Sequence, residues 1–222
     1  SMYDIRKYDP LKDAGAAHRI WREIDWIEDE RQEKNLDHFL SEGRALVAEL
    51  DGSAECLVSS KPGILRHLRK DLDISIVTSV GTSRVARKQG LAKKLTAKLI
   101  ADDAAAGAIV STLGIFEQGF YNLLGYGSGS YEHWVTFDPA DLKISHKMRP
   151  PKRLSVDDWE MIHSSLVHRK PHHGMVTLLP ECMTRAELGW EKGGYGLGYC
   201  DGPNEELSHY IWASNKGEHG PT

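Results

Sequence analysis

The chain has 222 residues, with 28 Lys and Arg against 32 Asp and Glu for a formal net charge of −4, and is 40% hydrophobic and 27% charged. That composition suits a globular fold with a sizeable core. The mild acidity argues against a dedicated nucleic-acid binder, and no apolar run approaches the ~18–20 residues of a membrane span, so neither partner is expected. No signal peptide opens the chain, and the leading Ser1-Met2 reads as an expression remnant. Cys56, Cys182 and Cys200 are odd in number and form no CxxC pair, which points to reduced thiols and a cytoplasmic location.

Residues 3–8 alternate as a short strand that Asp9-Pro10 ends. From Lys12, Ala17, Ile20, Ile24 and Ile27 recur at the spacing of one apolar helix face. Residues 35–41 predict a second helix, stopped at Gly43. Residues 44–50 and 53–59 read as strands joined by Asp51-Gly52, with Lys61-Pro62-Gly63 ending the second. Residues 71–82 form a long β-branched run with the look of a central strand. A basic turn then leads to Gly90, where a helix starts with Leu91, Leu95, Leu99 and Ile100 on one side and ends at Gly107. A buried strand over 108–115, a short helix over 117–124 capped by Gly125, and a last strand over 131–137 follow. The expected fold class is therefore α/β, with a mixed sheet flanked by helices.

A proline-rich basic linker, 147–155, separates this first unit (1–146) from the remainder (156–222). The remainder predicts a short helix over 156–166 and a glycine-rich hairpin over 194–213 that turns at Asp201-Gly202-Pro203. It is too short to bury a large core of its own, so it reads as a partial second domain or a docked appendage.

The segment that carries chemistry runs from Val80 to Ala92, where a strand ends, a basic loop follows and small residues open a helix: Arg87-x-x-Gly90-x-Ala92. The first N–H groups of a helix have no intrahelical partners, and the macrodipole adds positive charge there, which suits a pyrophosphate. Gly90 and Ala92 allow close approach, and Arg84, Arg87 and Lys88 add charge. On these residues alone, an ordinary strand-to-helix turn with solvated basic residues stays open.

Together with Phe120-Tyr121-Asn122-Leu123-Leu124-Gly125-Tyr126-Gly127 downstream, the loop resembles the GNAT acetyltransferase superfamily over roughly residues 3–144. It is most similar to the enhanced-intracellular-survival branch. The resemblance implies a mostly antiparallel central sheet and a transfer of acetyl from acetyl-CoA to a primary amine, on an aminoglycoside-like polyamine or a lysine side chain. It implies that Val80, Gly81 and Thr82 pair with the pantetheine arm, and that Arg87, Lys88, Gln89, Gly90, Leu91, Ala92 and Lys93 hold the pyrophosphate. Phe116 and Glu117 would touch acetyl-CoA where the next strand splays away. Tyr121 would be the general acid that protonates the leaving thiolate, with a backbone N–H at Val80 holding the oxyanion. Without its neighbours, Tyr121 reads more readily as a core aromatic on a short helix than as an acid.

Residues 74–80 contain no carboxylate to serve as base, and Asp71 and Asp73 lie too early. The resembled family uses the C-terminal carboxylate of a longer, three-domain chain, so Thr222 is not given that role. The missing base keeps a non-catalytic acyl-CoA sensor open as an alternative. Trp21, Asp25 and Glu28, within the acidic run of Glu23, Asp25, Glu28, Asp29 and Glu30, could attract a cationic acceptor, or could simply be a solvated helix face. His168, His172 and His173 lack companions at ligand spacing, so no metal is expected. The resembled family also implies a homo-oligomer, a hexamer.

Overall fold

The computed structural model describes residues 3–114, 119–129, 131 and 133–215. Strand β1 (Asp4–Lys7) leads into α1 (Pro10–Glu23), whose first turn Asp9 caps through its side chain, with Pro10 at the position where a missing N–H costs nothing. Helix α2 (Glu30–Phe39) is capped in the same way by Asp29, one turn earlier than the apolar spacing predicts. Strands β2 (Arg44–Leu50), β3 (Ser53–His67) and β4 (Lys70–Thr82) follow as an antiparallel meander, with the Asp51-Gly52 turn where the sequence places it. Helix α3 (Leu91–Ala105) crosses over to β5 (Val110–Leu113), which runs parallel to β4.

The two faces of the sheet follow the period-2 rule. Val47 and Leu57 turn toward α1 and α2, packing with Ile20, Trp21, Leu36 and Phe39. Leu46, Cys56 and Val58 turn the other way, onto Leu91, Leu95 and Leu99 of α3. Asp103 ties α3 to three strands, since its carboxylate accepts from Arg44 Nε at 2.7 Å, Ser60 Oγ at 2.5 Å and Ser75 Oγ at 2.6 Å.

Strand β3 does not end at Lys61-Pro62-Gly63 but continues to His67. On its other edge the pairing with β2 stops at Ser60, and a later strand, β7 (Val176–Leu178), takes over at Gly63. Pro62 lies in the gap, and its carbonyl on that edge accepts from Leu179 N at 3.2 Å, so the absent N–H interrupts no ladder. The second difference is at 131–137, where the described residues form no strand. Among the described residues, no strand pairs with them. Tyr131, Trp134 and Val135 are correspondingly exposed, at 85%, 87% and 79%. The short helix before Gly125 is a 3-10 turn over Tyr121–Leu124, closed by Gly125 in the left-handed region.

After the proline-rich stretch, β6 (Lys152–Leu154), β8 (Tyr195–Tyr199) and β9 (His209–Ala213) make a separate three-stranded sheet. It packs on α4 (Trp159–Val167) through Leu154, Ile162 and Leu207. Its glycines serve close packing: a Cβ at Gly196 would stand 2.8 Å from Leu154 Cβ and from the Trp212 ring. No local signal marks β7 or α5 (Glu181–Leu188), which fasten this part of the chain to the first sheet and to α2.

All three cysteines are free thiols. Burial pushes the Cys56 thiol up to about 11, against a hydrogen bond to Thr82, and burial raises Cys182 as well. Cys200 is only half-buried. A thiol reagent such as DTNB at pH 8 is therefore expected to modify Cys200 first, with the other two reacting only after denaturation. Mass mapping of the first labelled peptide checks this, and early labelling of Cys56 would contradict the packing around β3.

Candidate active site

Among the described residues, β4 and β5 pair from Ile74↔Val110 to Val77↔Leu113, while β4 runs on to Thr82. The part of β4 beyond Val77 therefore has β3 on one edge and an opening on the other. A bulge deepens it: Ser59 and Ser60 of β3 oppose Ser79 and Val77, which leaves Thr78 as the extra residue. The opening is a cavity of about 570 Å³, lined by Thr78, Val80, Thr82, Ala92 and Tyr121 among others.

The basic loop meets the mouth of this cavity. Ser83 N donates to Glu55 O at 2.8 Å, Arg84 N donates to a Glu23 carboxylate oxygen at 2.7 Å, and a 3-10 turn over Arg84–Ala86 follows. Gly90 is the N-cap of α3 at φ +73, a left-handed conformation that favours glycine, and no side chain caps the helix. Arg87, Lys88, Gln89 and Lys93 surround that N-terminus and are exposed, whereas Leu91 turns into the core. Gly81 does not face the cavity: it is buried, and a Cβ there would stand 3.2 Å from Ile20 and from Ile24. Phe116 and Glu117 lie outside the described residues.

Tyr121 opens its 3-10 turn with its ring edge-on to Phe120 at 5.0 Å and to Tyr126 at 6.1 Å. Tyr126 packs, and its hydroxyl meets Ser111 Oγ at 2.5 Å. Burial raises its pKa, against that hydrogen bond.

A second cavity of about 560 Å³ adjoins the first and shares Trp26, Phe39, Thr78, Met183 and Glu187 with it. Trp21, Asp25, Ala186, Trp190 and Glu191 complete its walls. Trp21 is 4% exposed, stacks edge-on with Trp26 at 4.9 Å and Trp190 at 5.9 Å, and its indole Nε1 has no hydrogen-bond partner. Of the acidic run, only Asp25 reaches this cavity. Glu28 is exposed elsewhere, Asp29 caps α2, and Glu23 holds the Arg84 amide. The three histidines do not converge: His168 bonds the carbonyl of Ser164, while His173 Nδ1 accepts from Leu68 N at 2.9 Å.

The walls from Met183 to Glu191 come from α5 and the turn after it, which sequence reading missed. A carboxylate within an eight-residue helix carries no motif. Its position depends on α5 docking on α2, through Asn35 Nδ2 to Ala186 O at 2.8 Å and the Arg31 guanidinium to the carbonyls of Gly189 and Trp190.

No family model matches the sequence, and no curated protein does. Among solved structures, 98% of the chain superposes on a conserved protein from Enterococcus faecalis V583 described as a probable N-acyltransferase, with a TM-score of 0.70 at 16% identity. It also superposes over 97% of its length on Eis1 from Mycobacterium abscessus, with a TM-score of 0.66 at 19% identity. The chain spans 56% and 54% of those two proteins, about half of each. With its mixed, mostly antiparallel sheet and glycine-opened α3, the chain has the GNAT-type α/β fold.

Proposed function

We propose that this protein transfers an acetyl group from acetyl-CoA to a primary amine of a small polycationic molecule or a lysine side chain. The observation that carries this reading is the parting of β4 and β5, which opens a cavity with Tyr121 in its wall and the uncapped, basic N-terminus of α3 at its mouth. The residues suit the cofactor. Free N–H groups after Gly90, with Arg87, Lys88 and Lys93 beside them, match a pyrophosphate. The unpaired edge of β4 from Val80 to Thr82 matches the amide groups of a pantetheine arm.

The amine attacks the thioester carbonyl, and the C–N bond forms as the carbonyl oxygen takes negative charge. A backbone N–H at Val80 stabilises that oxyanion. The C–S bond then breaks, and the Tyr121 hydroxyl gives its proton to the thiolate. The acidic, tryptophan-walled second cavity favours a cation as acceptor. Residues 1–146 carry the cofactor side of this reading, and the later residues supply one wall of the acceptor side.

Calorimetry with acetyl-CoA, followed by thiol release against aminoglycosides, polyamines and lysine peptides, tests it. Binding with amine-dependent release supports the transferase, and absence of binding sinks it. A sharper check is Gly90→Ala. No neighbouring atom lies within 4 Å of the added Cβ, so its cost is the left-handed backbone alone, roughly 1–2 kcal/mol. Relaxing that strain would move the N–H groups, so acetyl-CoA affinity is expected to fall roughly 5- to 30-fold. Unchanged affinity would remove the loop from the cofactor site.

A further inference from the structure

The transferase reading leaves one chemical task without a residue. An amine that becomes an amide must lose an N–H proton, and residues 74–80 of β4 carry no group to accept it. The cavity does offer one. Among the described residues lining the chamber that holds Val80 and Tyr121, Glu187 is the only carboxylate. The same residue lines the tryptophan chamber, so it stands on the wall common to both. An amine resting among Trp21, Trp26 and Trp190 would meet a thioester lying along β4 at that wall. Asp25 and Glu191 line only the tryptophan chamber, where they can attract a cation but do not border the β4 opening.

Glu187 is held in place without being used up. Asn35 fastens the preceding carbonyl, Arg31 fastens those of Gly189 and Trp190, and Cys182 N at the start of α5 donates to a Glu42 carboxylate oxygen at 3.0 Å. The Glu187 carboxylate itself has no hydrogen bond or ion pair among the described residues, and its side chain remains accessible from the cavity. The surrounding protein walls raise its pKa by desolvation, which brings it closer to that of an amine and makes proton transfer less uphill.

We propose that Glu187 is the general base of the transfer, accepting the N–H proton of the attacking amine. The inference rests on the transferase reading above. In the balanced step the C–N bond forms, Glu187 takes one proton from nitrogen, the C–S bond breaks and Tyr121 protonates the sulfur. Solvent then removes the proton from Glu187 and returns one to Tyr121, so the net products are the amide and free CoA.

The test measures thiol release from acetyl-CoA with kanamycin and with spermidine for the wild type, Glu187→Gln, Glu187→Asp and Glu187→Ala, with calorimetry for acetyl-CoA on each. Glu187→Gln is expected to lose about 10²- to 10³-fold in kcat with acetyl-CoA affinity little changed, and Glu187→Asp to fall in between. Added formate should restore turnover to Glu187→Ala at least about tenfold, because a small carboxylate can occupy the vacated space; a purely structural role would not respond to it. Turnover in Glu187→Gln within about threefold of wild type overturns the base assignment and leaves the transferase reading standing. Loss of turnover in Glu187→Ala without formate rescue overturns it as well. A wild type that releases no thiol with either amine overturns both.

Discussion

Replacing Tyr121 by Phe is expected to lower kcat for amine acetylation by about 10²- to 10³-fold while leaving acetyl-CoA affinity nearly unchanged. The substitution removes the hydroxyl and keeps the ring, so the edge-on contacts with Phe120 and Tyr126 survive and the 3-10 turn ending at Gly125 has no reason to move. On the proposed mechanism, what is lost is the proton for the leaving thiolate. Tyr126→Phe is the matched control, since that hydroxyl is occupied by Ser111 and its removal should cost turnover only a few-fold. Steady-state thiol release beside calorimetry separates the outcomes. A Tyr121→Phe rate within about threefold of wild type would exclude the tyrosine as acid. Acetyl-CoA binding with no thiol release in the wild type itself would favour the sensor.

The largest effect expected on stability comes from Asp13. It is 2% exposed, and its carboxylate accepts from both terminal nitrogens of Arg6, at 2.7 and 2.8 Å, and from Asp9 N at 2.8 Å. These contacts join β1 to the first turn of α1. Burial alone would raise the Asp13 pKa, but the Arg6 hydrogen bonds and the Asp9 amide outweigh it, and the carboxyl sits below its ordinary range. A depressed carboxylate pKa stabilises the fold fully above its unfolded value near 4, and the contribution is lost as pH falls through the folded value. Arg6 keeps Glu49 as a second partner, which moderates the loss. Asp13→Ala should therefore cost about 2–3 kcal/mol at pH 7, a fall in Tm of roughly 5–10 °C for a chain of this size. Thermal melts at pH 7 and pH 2.5 check the sign. The gap between wild type and variant should shrink at the lower pH, and a gap that widens there would show that the pair is not what stabilises this corner.

Much of the first unit was legible because its signals are local. Asp51-Gly52 fixes a hairpin whatever lies elsewhere, and the turn at Gly90 is announced by the residue that must adopt φ +73. Three kinds of feature were not local. Pro62 looks like a strand end until β7 and the gap before it are known. Residues 131–137 alternate like a strand, but alternation describes a face and supplies no partner for the backbone. The walls of the tryptophan cavity were the hardest to see. Met183 and Glu187 belong to a short helix, and Trp190 to the turn after it, whose composition points nowhere, and only the docking against Asn35 and Arg31 brings them to the cavity. Glu28 shows the converse, a residue with suitable charge and neighbourhood that the turn between α1 and α2 carries away from the cavity.

The hydrogen bond from Asn35 to Ala186 joins residues 151 positions apart. At the usual pace of synthesis, α5 leaves the ribosome on the order of ten to thirty seconds after the helix it must cover. During that interval Phe39 and Leu36 lack the cover of Met183 and Ala186, the strand-pairing edge of β3 beyond Gly63 is open, and the chamber of tryptophans has no floor. The basic loop at Gly90 is thus synthesised well before the helix that walls the tryptophan chamber. Closing that chamber waits on α5, and until α5 docks the apolar face of α2 lacks its cover.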